Sequence, residues 1–155
     1  MQPGNCEWKI AWHWRLRYPR VHAMHYQITF RRDHLKAELF ARETTEETGE
    51  FLGALAADSV KYRCSLILIS VHRSKPVFTV GRYGLLSYFD VALRSLLKIA
   101  LVGDSAELRI AHQYIESLAL QRGVSLRAFR DEAMALHWLR AERTKSHNWT
   151  SDETT

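Results

Sequence analysis

Between His72 and Gly84 the chain sets the cationic residues His72, Arg73, Lys75 and Arg82 among Val77, Phe78, Val80 and Tyr83. Guanidinium and ammonium groups hold carboxylate or phosphate through charge-assisted hydrogen bonds, and an apolar wall beside them holds whatever carries the anion. The stretch directly follows the continuous apolar run Leu66-Ile67-Leu68-Ile69, the mark of a central strand covered on both faces. It therefore falls at the C-terminal edge of a sheet, where open α/β folds bind ligands in the crevice beyond the strand ends. His72, Arg73, Lys75, Phe78, Arg82 and Tyr83 are the candidate anion- or ligand-binding residues. The competing reading is a solvated basic loop with its aromatics tucked into the core.

Other chemistry is poorly supported. A dinucleotide site needs a Gly-rich turn after a strand, whereas Gly103-Asp104-Ser105 supplies one glycine and then a carboxylate that repels phosphate. No Gly-x-Ser-x-Gly elbow occurs. The central strand ends Ser70-Val71-His72, without the Asp that a phosphoacceptor receiver domain requires. Cys64 and His72 stand near opposite ends of one strand, roughly 20 Å or more apart by strand rise, too far for a thiolate–imidazole pair. His112 and His137 each sit on an expected helix with no ligand at i+3 or i+4, and read as partly buried or surface histidines. Glu46, Glu47 and Glu50 suit a helix N-terminus better than a metal site. No catalytic residue, metal or cofactor is expected.

Composition narrows the partners. With 155 residues the chain suits one domain, large enough to bury a core without disulfides or metal. The formal charge of +5 is concentrated at the start, where Lys9, Arg15, Arg17 and Arg20 stand against Glu7. That leaves +2 for residues 24–155, too little to draw nucleic acid by long-range attraction. Residues 1–23 carry Trp8, Trp12 and Trp14 without an apolar run long enough for a signal peptide or a membrane span. They read as an extraneous or flexible segment, with Met24 as the natural start. Cys6 and Cys64 match no zinc or redox spacing and indicate free thiols in a reducing compartment, hence a cytoplasmic protein.

The elements that position the loop are legible from periodicity. Tyr26, Ile28 and Phe30 alternate with polar residues, and Leu35–Glu43 alternates through Leu35, Ala37, Leu39 and Ala41, so the two strands predict a hairpin. Thr44 with Glu47 is a capping-box pattern, and Phe51, Leu52, Leu55, Ala56 and Val60 mark the core face of the helix behind it. Leu85 to Leu97 repeats as an amphipathic helix. Lys98–Val102 and Leu126–Phe129 are short strands, each followed by a helix, with Asp104 and Asp131 as the expected caps. Gly123 marks a helix stop, and the tail from residue 144 to 155 is polar and read as disordered. The order ββαβαβαβα implies an α/β domain over residues 24–143, a mixed five-strand sheet with helices packed against it. After the hairpin come three parallel, right-handed crossovers.

Over about residues 26–142 the chain resembles the SpoIIAA-like, or STAS-type, superfamily, in the small bacterial branch related to CRAL-TRIO lipid-binding domains. The resemblance rests on Lys98-Ile99-Ala100-Leu101-Val102-Gly103-Asp104 and on Arg127-Ala128-Phe129-Arg130-Asp131-Glu132-Ala133, followed by Ala135 and Trp138-Leu139. It implies a non-enzymatic regulatory or protein-interaction module with a protein partner or a second copy of itself. The alternative it implies is a carrier or sensor of a small amphipathic, lipid-like or anionic ligand near residues 72–84. Anti-sigma antagonists of the superfamily are switched by phosphorylation of a Ser after the central strand. The matching residue here is Ser74, although Arg73 and Lys75 flank it where the family pattern has an Asp before the Ser.

Overall fold

The computed structural model describes residues 23–76, 87 and 96–145. Alternating side chains form β1 (His25–Phe30) and β2 (Leu35–Phe40), paired antiparallel with His25 opposite Phe40 and Phe30 opposite Leu35. The hairpin expected from the sequence is present. Its second strand stops three residues before Glu43, because Ala41 leaves extended backbone at φ 53°. A left-handed residue breaks the pleat and turns the chain out of the ladder.

Helix α1 (Thr45–Lys61) begins with the capping box. The Glu47 N–H donates to Thr44 Oγ1, and the Glu47 carboxylate accepts from the Thr44 N–H, both at 3.2 Å. Phe51, Leu52, Leu55 and Ala56 are buried as expected, but Val60 is 51% exposed. Ser59, four residues after Leu55, takes the last inward place and satisfies its hydroxyl on the Ala56 carbonyl.

The remaining elements are β3 (Leu66–His72), β4 (Lys98–Gly103), α2 (Ala106–Gln121), β5 (Ser125–Phe129) and α3 (Glu132–Lys145). The sheet order is β1-β2-β3-β4-β5, with β2 to β5 mutually parallel. Two helix caps can be compared with expectation. Asp131 Oδ1 accepts from the Met134 N–H at 2.9 Å, as its position before α3 predicts. At α2 the cap moves one residue: Ser105 Oγ accepts from the Leu108 N–H at 3.1 Å, and Asp104 turns elsewhere. Gly123, at φ 72°, follows the end of α2 in the left-handed conformation that glycine adopts without strain.

Two cores sandwich the sheet. On one face Leu35, Leu39, Ile67, Ile69, Ile99 and Leu101 pack with the inner faces of α1 and α2. The two crossover helices among the described residues, α1 and α2, lie on this face, as crossovers of one hand stepping in one direction require. On the other face Leu66, Leu68, Ala100 and Val102 pack against Ala135 and Leu139 of α3. Because β3 and β4 meet both cores, all their side chains from Leu66 to Val71 and from Ile99 to Gly103 are buried.

Residues 1–22, the segment 77–95 apart from Ser87, and residues 146–155 lie outside the described residues. The expected N-terminal segment, most of the helix expected over Leu85–Leu97 and most of the expected tail fall there. Helix α3 itself runs on to Lys145. No helix among the described residues is long and apolar enough to cross a membrane.

Candidate functional site

At the C-terminal ends of β2, β3 and β4 the chain builds a shelf from His72, Arg73, Ser74 and Lys75. Parallel register places Phe40 beside His72, and antiparallel register places His25 beside Phe40. The three rings stack across three strands, with centroids 4.8 Å apart for His25–Phe40 and 4.7 Å for Phe40–His72. The His72 ring lies half-buried, its Nδ1 3.9 Å from Asp104 Oδ2 and its buried Nε2 without a hydrogen-bond partner.

Beyond His72 the backbone turns sharply, with Arg73 at φ 45°. Asp104, relieved of the helix cap by Ser105, accepts from the Arg73 N–H at 2.9 Å. Ser74 Oγ donates to the His72 carbonyl at 2.9 Å and accepts from the Arg42 N–H at 3.0 Å. The Lys75 N–H donates to the Arg42 carbonyl at 2.9 Å, and Arg42 Nη2 donates back to the Lys75 carbonyl. The loop is thus zipped onto residues 41 and 42, prolonging the β2–β3 pairing after both strands have kinked. Lys75 Nζ lies 3.8 Å from Glu43 Oε1, both side chains well exposed. Such a pair adds little stability in water.

Of the residues expected to form the site, His72, Arg73, Ser74 and Lys75 stand together on this shelf. Phe78, Arg82 and Tyr83 lie outside the described residues. Asp104 adds a carboxylate beside His72, so the edge carries both charges and is less purely anion-seeking than its sequence.

Below the shelf lies a residue that sequence periodicity does not find. Strict alternation from Leu35 sends position 42 to the polar face, but the left-handed turn at Ala41 reverses the phase. Arg42 enters the core side and is only 6% exposed. It lines a small cavity with Leu39 of β2, Val71 of β3, Thr48 and Phe51 of α1, and His112 of α2. His112 is 4% exposed, not the partly buried or surface histidine expected. Its helical spacing with Leu108, Ile115 and Ala119 was the signal, since all four fall on the buried stripe of α2. Burial and the nearby Arg42 charge push the His112 pKa down to about 4, so its ring is neutral at neutral pH. Burial also lowers Arg42.

The opposite sheet face carries a second polar cluster. Ser70 Oγ donates to Glu132 Oε1 at 2.9 Å, and Lys36 Nζ lies 3.1 Å from Glu132 Oε2. Burial alone would raise the Glu132 pKa, but the Lys36 and Ser70 bonds outweigh it and hold the carboxyl below its usual range. This cluster fastens α3 to β2 and β3. The described residues contain no group of three or more His, Cys, Asp or Glu side chains placed to hold a metal ion.

The architecture now defines a class. A five-strand sheet in sequential order, with an antiparallel first pair, parallel remainder and helices on both faces, is consistent with the SpoIIAA-like fold expected from the sequence. The chain is similar in structure to an anti-sigma factor antagonist from Mycobacterium paratuberculosis, with a TM-score of 0.52 at 15% identity. That similarity covers 77% of this chain and 96% of the other. No family model and no curated protein matches the chain.

Proposed function

We propose that the chain is a cytoplasmic STAS-like regulatory module of bacterial type, without catalytic activity, that works by binding a protein partner or a second copy of itself. The observation that carries this reading is the fold it shares with the anti-sigma factor antagonist. Its contact residues are His72, Arg73 and Lys75 of the C-terminal shelf, with Phe78, Arg82 and Tyr83 proposed from the sequence alone. The shelf suits recognition: exposed cations stand on a loop braced by hydrogen bonds to Arg42 and Asp104 and by the stack of His72 on Phe40. A braced loop loses little conformational freedom on binding.

Ser74 is the modification site of this reading. Phosphorylation there removes the proton given to the His72 carbonyl and crowds the Arg42 N–H, so it would release the loop. The added charge would be drawn toward Arg73 and Lys75. The carrier reading gains no support from the structural neighbour, an anti-sigma factor antagonist.

The test is affinity capture with the full chain, comparing wild type with an Arg73→Glu/Lys75→Glu double variant. A partner recovered by the first and lost by the second supports the module. Equal recovery by both, or an acyl or phospholipid mass retained in native mass spectrometry, overturns it.

A further inference from the structure

Two of the side chains that line the cavity under the shelf each carry a buried nitrogen without a hydrogen-bond partner, Arg42 Nε and His112 Nδ1. The guanidinium's one hydrogen bond goes from Nη2 to the Lys75 carbonyl. No carboxylate forms an ion pair with it among the described residues. Glu47 is the acid whose charge it feels, and that carboxylate is committed to the Glu43 and Thr44 N–H groups. Thr48, the remaining polar lining residue, donates its hydroxyl to the Thr44 carbonyl. The rest of the wall is aliphatic or aromatic.

A buried guanidinium with no carboxylate in contact is costly, because an apolar wall replaces none of the water it has lost. The cavity has a volume of about 30 Å³. One water-sized particle needs roughly 10–15 Å³ by that measure, so the space suits a single small species better than sulfate or phosphate. A water would satisfy the two nitrogens but leave the charge. A halide would answer both, accepting from Arg42 Nε–H and from His112 in the tautomer protonated at Nδ1.

We infer that this cavity is a binding site for one monatomic anion of chloride size, held between Arg42 and His112. Arg42 also holds Ser74 through its backbone and Lys75 through its side chain, so the anion sits under the shelf and braces it.

The test uses the full chain in two ways. Thermal unfolding is followed at constant ionic strength while gluconate, too large for the cavity, is replaced by chloride or bromide. At about ten times the half-saturating concentration the Tm should rise by about 3–5 °C, because only the native state binds the ion. Sulfate should give no such rise, and His112→Leu should abolish it. Wild-type crystals grown in bromide should show an anomalous peak within hydrogen-bond distance of Arg42 Nε and His112 Nδ1. Halide-independent Tm values, or a cavity in those crystals that holds only water, would overturn the proposal. The crystal result stands even where a variant fails to fold.

Discussion

Asp104 Oδ2 accepts the Arg73 N–H at 2.9 Å, tying the loop after β3 to the loop after β4. The contact exists because Ser105, not Asp104, caps α2. Two adjacent residues that both suit a cap have divided the work, one serving the helix and the other the shelf.

Replacing Asp104 should therefore loosen the shelf without unravelling α2. Asp104→Ala is expected to cost about 1 kcal/mol, the net worth of one partly exposed hydrogen bond to a charged acceptor. Amide exchange at Arg73 should accelerate while exchange at Leu108 and Arg109 stays unchanged. Equal acceleration at both places would mean that Asp104 is the cap after all.

Ser105→Ala should do the reverse. Removing the oxygen that accepts the Leu108 N–H should cost about 1 kcal/mol in chemical denaturation, the usual penalty for losing an N-cap. The Arg73 amide should keep its protection.

Gly103 has no room for a side chain. A Cβ there would lie 2.9 Å from Leu108 Cβ and 3.2 Å from His112 Cε1. Because both neighbours sit on the packed face of α2, Gly103→Ala should destabilise by about 1–3 kcal/mol, as overpacked cores do. Urea unfolding measures it, and an unchanged midpoint would show that α2 can yield.

The hairpin turn is held from across the molecule. Asp33 receives His34 Nδ1 at 2.8 Å and Arg140 Nε of α3 at 3.1 Å. The His34 bond first, then the Arg140 bond, lower the Asp33 pKa from 3.8 to about 2. A carboxyl depressed in the native state contributes stability that is complete above pH 3.8 and lost as pH falls through 2. Asp33→Asn should remove that part of the acid transition, read by circular dichroism between those limits.

His112 acts in a higher window. Its pKa falls from 6.5 to about 4 on folding, so the unfolded chain binds a proton that the native chain refuses. Stability should be full above pH 6.5 and decline as pH falls toward 4. His112→Gln should flatten the profile between those values, measured as Tm against pH.

Most of the architecture was legible beforehand because it is written in local patterns. The alternation in β1 and β2, the unbroken apolar run of β3, the Thr44–Glu47 box and the Asp131 cap each depend on residues a few positions apart. The same locality explains the errors. Asp104 and Ser105 are both good caps, and only the pull of the Arg73 amide decides between them. Val60 and Ser59 both border the core stripe of α1, and a small turn of the helix selects Ser59.

What the sequence determined by itself is the element order, the parallel crossovers and the place of the basic loop at the end of the central strand. Those follow from hydrophobic period and capping, which act within single elements. Tertiary structure alone decided what stands beneath that loop. A single left-handed residue, Ala41, reverses the alternation and turns Arg42 from the solvent face into the core. Packing of α2 then brings His112 to the same cavity, joining two distant parts of the chain that no periodicity relates.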